Sequence, residues 1–146
     1  MLPDKPGTYV LILHVPRSRT ITVGKLGQFA FAAGWYAYAG SARGPGGLKA
    51  RISRHAARSK ASHWHVDYLR AEAACVEAWY ATGSTRRECV WAGALAELPG
   101  ASNPVPRFGA SDCRCTAHLI HFSDRPNLSA FAALVAGPVV RAVLSA

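Results

Sequence analysis

Short apolar runs separated by glycine and proline predict strands in the first part of the chain. GTYVLILHV (7–15) is a continuous run rich in β-branched residues and predicts a buried strand. TITVG (20–24) predicts a second strand that pairs with the first across the turn between them. QFAFAAGWYAYAG (28–40) alternates aromatic residues with alanines, which predicts another strand, interrupted at Gly34.

A helix is predicted after the glycine-rich break GPGG (44–47), where LKARISRHAARS has a strongly helical composition. Helical geometry divides its residues into two neighbouring stripes. The stripe expected to face the sheet contains Leu48, Ile52 and Ala56. The adjoining stripe contains Arg51, His55 and Arg58.

The rest of the chain alternates helical and extended patterns. The predicted elements are a short helix or extended lead-in (62–73, with Ser62 as a candidate cap), a strand (75–82), a helix (84–98, capped by Ser84 or Thr85), a loop (101–115), a strand (116–123) and a closing helix (128–137). This order indicates an α/β (α+β) fold in one domain, 1–146, with a small mixed or antiparallel sheet flanked by helices.

The strongly positive net charge of the chain favours anionic partners. The 146 residues include 17 lysines and arginines against eight acids, for a net charge of +9. Nucleic acid is the partner that this balance favours first, an anionic membrane second, and a merely basic protein third. No apolar run approaches the about 20 residues that span a bilayer, and the N-terminal residues show no signal-peptide pattern, so we expect a cytoplasmic protein.

The positive charge is concentrated between residues 43 and 60, a segment without a carboxylate. Its cations are Arg43, Lys49, Arg51, Arg54, Arg58 and Lys60. A solvated basic helix face accounts for such a run without any function. A surface that grips phosphate accounts for it equally well, and arginine is the residue suited to a bidentate grip on phosphate oxygens.

Several motifs together resemble the GIY-YIG nuclease superfamily. GTY (7–9), YAG (38–40) and LKARISRH (48–55) match its two signature tripeptides and its Arg-x-x-x-His helix. The segments YAYAGSARGPGGLKARISRH, HWHVDYL, EC and FGASDCRCTAHL resemble a narrower branch, found alone in bacteria and fused to endonuclease III-type glycosylases in archaea. This similarity covers nearly the whole chain.

The resemblance implies a divalent-metal-dependent endonuclease that hydrolyses phosphodiester bonds, of DNA rather than RNA, with a link to DNA repair. The catalytic residues that it implies are Tyr9, Tyr38, Arg51 and His55. Glu88 matches the glutamate that binds one Mg²⁺ or Mn²⁺ ion. The flanking nucleic-acid backbone would be held by Arg43, Lys49, Arg54 and Arg58.

The match also departs from the superfamily pattern. The gap between Tyr9 and Tyr38 is long, and the segment around 20–24 fills it as an extra hairpin. The superfamily's later asparagine has no clear counterpart, since Asn103 lies in a proline-flanked loop. Candidates to replace it are Ser111, Asp112, Cys113 and His118. A non-catalytic nucleic-acid-binding module is the alternative, with the strand tyrosines packed for structure.

Two further clusters contain possible metal ligands. His63, His65 and Asp67 point one way if their segment is extended, and otherwise form a surface pair or support a nearby site. Cys113, Cys115 and His118 have soft and imidazole donors that suit zinc, with Cys89 as a distant fourth ligand. A buried thiol pair explains the second cluster without metal, whereas a zinc-stabilised structural domain is a third possible function.

Overall fold

The apolar run at Gly7–Val15 forms the central strand, β1, of the sheet. The structure is a computed structural model that describes residues 2–57, 64–110, 113 and 115–144. The other strands are β2 (Arg19–Val23), β3 (Gly27–Phe31), β4 (Gly34–Ala42), β5 (Ala74–Thr82), β6 (Leu119–Phe122) and β7 (Val140–Val143). The helices are α1 (Gly47–Ala56), α2 (His65–Arg70), α3 (Glu88–Ala96) and α4 (Leu128–Ala132), and one 3-10 turn covers Gly24–Leu26.

Five strands form one antiparallel sheet in the order β6-β4-β1-β5-β7. Strands β2 and β3 form a separate hairpin. The predicted α/β (α+β) class is confirmed, as is the extra hairpin between the two tyrosine motifs. In the described part of the chain no helix combines the length and the apolar character needed to cross a membrane.

Side chains of β1 alternate between two hydrophobic cores, one on each face of the sheet. Tyr9 and Leu11 point toward the core that contains Leu48 and Ile52 of α1. Val10 points toward the opposite core, beneath α3 and α4. Both faces of this strand are covered, and this explains why its sequence is continuously apolar rather than alternating. The predicted inward stripe of α1 is confirmed for Leu48 and Ile52, which are fully buried.

The prediction for residues 20–40 is wrong in two respects. The strand near residue 20 pairs with β3 and not with β1. The run 28–40 forms two strands in different sheets, because Gly34 has a φ of 135° that turns the chain out of the hairpin and into β4. A Cβ atom at Gly34 would lie 2.7 Å from Nε2 of His121, so this turn also depends on the space that glycine leaves.

The later predictions err mainly at element ends. The helix expected from residue 84 begins at Glu88, and neither Ser84 nor Thr85 caps it, since Arg87 occupies the N-cap. The closing helix ends at Ala132. The sequence analysis missed β7, a four-residue edge strand that is largely exposed although three of its four residues, VRAV, are apolar. The candidate cap Ser62 lies outside the described residues.

Arg70 joins the end of α1 to the end of α2. Its side chain is buried, and its guanidinium donates to three backbone carbonyls: those of His55 (2.7 Å), Ala56 (2.8 Å) and Ala73 (2.6 Å). The carbonyls at the end of a helix have no partners within the helix, so Arg70 supplies donors that α1 itself lacks. The hydrogen bonds from the Arg70 guanidinium therefore stabilise the C-terminal end of α1.

We predict that Arg70→Met lowers the free energy of unfolding by about 2–4 kcal/mol, because it leaves buried carbonyls without donors. Urea denaturation followed by circular dichroism measures this change. Arg17→Met is the matched control, since Arg17 is exposed in the turn before β2, and it should change stability by less than about 0.5 kcal/mol. Equal effects of the two substitutions would contradict this role of Arg70.

Candidate active site

A cavity of about 520 Å³ opens between β4, α1, the first turn of α3 and the loop before β6. Its lining residues include Tyr9, Tyr38, Ser41, Arg43, Arg51, Trp64, Arg86, Glu88, Cys89, Gly109, Cys113 and His118. Three of these are arginines and one is a carboxylate. The cavity is therefore electropositive, with a single acidic group on its wall.

Tyr9 lies at the base of the cavity, and the strand register puts Gly40 directly opposite it. A Cβ atom at position 40 would lie 2.5 Å from the Tyr9 hydroxyl oxygen, so only glycine admits the phenol ring. The two tripeptides that carry the family resemblance thus meet across one strand pair. The glycine of the second tripeptide, Gly40, is therefore required because any side chain there would clash with Tyr9.

The Tyr9 hydroxyl forms a hydrogen bond with Nε2 of His55 at 2.9 Å. Burial raises the pKa of Tyr9 from 10.0 to about 12, although the charge and hydrogen bond of Arg51 oppose that rise. Tyr9 is therefore a neutral phenol at neutral pH. His55 is buried at the end of α1, with Nδ1 4.0 Å from Oδ1 of Asp67.

Tyr38 lies on the same face of the sheet, on β4. Burial raises its pKa well above the ordinary value, and the nearby Tyr9 adds to the shift. The loop glycine Gly109, with a φ of 72°, packs against this ring, and a Cβ atom there would lie 2.7 Å from Cε1 of Tyr38. Although both tyrosines are buried, they border the cavity.

Arg51 is held in place by a carbonyl and by an aromatic ring. Its Nη1 donates to the Ser41 carbonyl at 2.9 Å, and its guanidinium lies 4.4 Å from the centre of the Trp64 ring. Arg54 lies 4.2 Å from the same ring, so two guanidinium groups stack on one indole. Trp64 was not among the predicted site residues, although it lies in HWHVDYL, one of the segments that carry the family resemblance.

Asp67, in α2, forms an ion pair with Arg54 of α1. It accepts from both terminal nitrogens of Arg54, at 2.9 and 3.1 Å, and from the Trp64 backbone N–H at 2.8 Å. The predicted phosphate contact of Arg54 thus competes with a bidentate ion pair that is formed within the fold. Arg54 has a structural role that the sequence analysis did not anticipate.

His65 and Asp67 do not form the convergent metal site expected for an extended segment. Both lie in the first turn of α2, where Asp67 faces Arg54. His65 accepts a hydrogen bond at Nδ1 from the Gly109 backbone N–H at 2.8 Å, and burial lowers its pKa. His65 therefore supports the loop that packs against Tyr38. His63 lies outside the described residues.

Glu88 begins α3, and its carboxylate reaches the cavity wall near Tyr38 and His118, whose pKa values its charge affects. Its Oε2 atom is buried and has no hydrogen-bond partner among the described residues. Other carboxylates are paired: Glu72 with Arg19 at 2.6 Å and Glu77 with Arg125. A buried carboxylate oxygen without a donor suits a bound cation.

Four possible metal ligands meet beside Glu88, and their donor atoms all lie within 4.8 Å of one another. They are Cys89, Cys113, Cys115 and His118. This Cys₃His cluster could hold a metal, and its donors favour zinc over Mg²⁺ or Mn²⁺. The proximity of Cys89, suggested as a distant fourth ligand, follows from the packing of α3 next to the loop before β6.

The remaining predicted phosphate-binding residues have different positions. Arg43 lines the cavity, where its Nη1 donates to the Ser84 carbonyl at 2.8 Å. Lys49 is exposed on α1. Arg58, Ser111 and Asp112 lie outside the described residues. Arg86 also lines the cavity and was not predicted, although it lies two residues before Glu88.

We predict that stability declines as the pH rises from about 10 to about 12. The unfolded chain loses the Tyr9 proton near pH 10.0, whereas the folded chain retains it until about pH 12. This difference contributes about 3 kcal/mol below pH 10, which is lost progressively above that pH. Urea denaturation between pH 8 and 11 measures the decline.

Tyr9→Phe should make that decline shallower, because the titrating phenol is then absent. Tyr68→Phe, which removes a half-buried phenol on α2, is the control and should leave the decline close to that of the unmodified chain. Parallel pH profiles for the unmodified and Tyr9→Phe proteins would show that burial does not perturb Tyr9.

Comparisons with known proteins identify a family for most of the chain. The family model described as "Domain of unknown function DUF123" matches residues 8–138. No curated protein matches significantly, and neither does any solved structure. The resemblance to GIY-YIG nucleases therefore stays a prediction. The matched range contains every described residue of the cavity wall, and the chain belongs to the DUF123 domain family.

Proposed function

We propose that this protein is a divalent-metal-dependent endonuclease of the GIY-YIG type, acting on DNA in preference to RNA. The observation that carries the proposal is the shared cavity of Tyr9, Tyr38, Arg51 and Glu88. These groups come from β1, β4, α1 and α3, so their convergence does not follow from closeness in sequence. Phenol, guanidinium and carboxylate groups together suit the hydrolysis of a phosphodiester.

Phosphate binding is assigned to the three arginines of the cavity. Arg51 is oriented by the Ser41 carbonyl and the Trp64 ring, and its remaining N–H groups can donate to two phosphate oxygens. Arg43 and Arg86 add charge where the flanking backbone would enter. Because these contacts involve phosphate groups, they provide affinity without base specificity.

Proton transfer is assigned to Tyr9 and His55. When neutral His55 carries its hydrogen on Nδ1, Tyr9 donates its hydroxyl hydrogen to Nε2, and a lone pair of the phenol oxygen stays available to a water molecule in the cavity. The proton of the attacking water passes to Tyr9 as the Tyr9 proton passes to His55. Asp67, with its oxygen 4.0 Å from the other ring nitrogen, stabilises the resulting imidazolium.

Glu88 is the residue that would hold the divalent cation, since its buried Oε2 has no donor among the described residues. A bound Mg²⁺ or Mn²⁺ supplies Lewis-acid stabilisation of the charge on the phosphoryl oxygens. Tyr38, neutral because burial raises its pKa, can donate a hydrogen bond to the same oxygens. The proposal places the protein in the cytoplasm, where DNA is accessible and thiols stay reduced.

The first test is a cleavage screen. The purified chain is incubated with labelled single-stranded, duplex and branched DNA and with matched RNA, in Mg²⁺, Mn²⁺ or chelator, and the products are separated on denaturing gels. Metal-dependent cuts with a preference for DNA are expected. If native gels show that the protein retards the DNA but no cleavage products form, the nuclease proposal is contradicted and a non-catalytic nucleic-acid-binding module is favoured.

We predict that Arg51→Ala and Glu88→Gln each lower the cleavage rate by about 100-fold or more, because each removes a group that stabilises transition-state charge. Single-turnover assays measure the rate, and urea denaturation checks the fold. The matched controls are Arg17→Ala and Glu97→Gln, which change exposed residues away from the cavity and should leave the rate unchanged. Undiminished cleavage by either cavity variant would refute the assignment.

We predict that Arg86→Ala weakens binding to duplex DNA and also reduces its dependence on salt. Loss of one phosphate contact should lower the slope of log K against log salt by about 0.9. Fluorescence anisotropy without added Mg²⁺ or Mn²⁺, between low and moderate salt, measures both quantities without cleavage. The control Arg17→Ala should retain the original slope, and an unchanged slope for Arg86→Ala would place Arg86 outside the DNA contact.

A further inference from the structure

We propose that Cys89, Cys113, Cys115 and His118 hold a resident zinc ion that fastens the first turn of α3 to the loop before β6. The four ligands come from separate places in the fold. Cys89 is the second residue of α3, the other two cysteines lie in the loop, and His118 directly precedes β6. The site is distinct from the Mg²⁺ or Mn²⁺ position assigned to Glu88.

The spacing of the donor atoms fits tetrahedral zinc. Zn–S bonds of about 2.3 Å and Zn–N bonds of about 2.0–2.1 Å put sulfur and nitrogen about 3.5 Å apart and two sulfurs about 3.8 Å apart. Nε2 of His118 lies 3.6 Å from Sγ of Cys89 and 3.4 Å from Sγ of Cys113. The full set lies within 4.8 Å, so small movements would complete the coordination.

The donor chemistry selects both the metal and its role. Three thiolates and one imidazole are soft and borderline ligands, which zinc prefers and Mg²⁺ does not. Four protein ligands leave no open position for water or substrate, as is typical of structural zinc sites. The four cysteines of the chain are free thiols, so no disulfide competes for these sulfurs.

The surroundings of the cluster also suit a metal site. The backbone of His118 is fixed to β4 by a hydrogen bond from the Ala39 N–H to the His118 carbonyl at 3.0 Å, while its ring Nε2 faces the sulfurs of Cys89 and Cys113. Arg107 donates to the carbonyls of Cys113 and Cys115, each at 2.7 Å, and brings a positive charge to a site with three thiolates. Arg107 adopts a φ of 67°, an uncommon conformation for a residue with a side chain.

A zinc ion here would compensate for a weakness at the start of α3. The N-cap residue Arg87 makes no side-chain capping hydrogen bond, so the first turn lacks the usual local support. Cys89 lies in that turn next to Glu88, and its attachment to zinc would hold the Glu88 carboxylate against the cavity. Only this last consequence rests on the proposed nuclease function.

The test begins with metal content. Untagged protein, purified without chelator, should contain about one zinc per chain by elemental analysis, and cobalt-substituted protein should show thiolate charge-transfer and tetrahedral ligand-field absorption. Cys113→Ser should lose the zinc, whereas Cys75→Ser, which changes a buried cysteine on β5, should retain it. A folded protein with substoichiometric zinc even after zinc is supplied would overturn the proposal.

A conservative variant tests the site independently in case Cys113→Ser does not fold. His118→Cys replaces one zinc ligand by another and should retain one zinc per chain, with a cobalt spectrum shifted toward that of four thiolates. Retention of zinc together with an unchanged cobalt spectrum would show that His118 is not a ligand and would overturn the assigned site.

Amide hydrogen exchange tests the fastening of α3 without reference to catalysis. Removal of zinc by a chelator should increase exchange in residues 88–92 and 115–118 and leave α1 unchanged, and added zinc should restore protection. Unchanged exchange in the first turn of α3 would overturn the fastening role. Zinc binding without DNA cleavage would support this site and refute the nuclease, whereas cleavage by a protein that takes up no zinc when zinc is supplied would support the nuclease and refute this site.

Discussion

The hydrogen bond between Tyr9 and His55 connects the sheet to α1 in the interior of the protein. Its two partners are 46 residues apart in the chain, and both are almost fully buried. A polar pair buried in this way is costly unless it is satisfied, so the bond fixes the position of the helix relative to the strand. Arg51, one turn earlier on α1, is thereby directed into the cavity.

Further contacts extend from this pair and set the electrostatics of the cavity. Asp67 neutralises Arg54 and approaches the ring nitrogen of His55 that Tyr9 does not contact, and Trp64 stacks with the guanidinium groups of both Arg54 and Arg51. One of the two arginines is therefore used within the fold while the other faces the cavity. Glu88 provides the one negative charge among the described residues that line the cavity.

Much of this arrangement could be predicted from the sequence, and the exceptions have physical reasons. The run at 7–15 and the stripe of Leu48 and Ile52 carry their own periodicity, so the central strand and its helix could be predicted. Trp64 and Arg86 enter the cavity through long-range packing, which no local pattern encodes. The Cys₃His cluster illustrates both situations. The spacing of Cys113, Cys115 and His118 is local, whereas Cys89 joins them only because α3 packs next to their loop.

Because the side chains of β1 alternate between two cores, only one pairing register with β4 keeps both cores intact. Because neighbouring residues of a strand face opposite ways, a slip of one residue would turn Tyr9 away from the cavity and put Thr8 or Val10 opposite Gly40. Both hydrophobic layers would be reversed by the same slip. Correct strand alignment thus secures the stability of the domain and the assembly of its cavity in a single folding event.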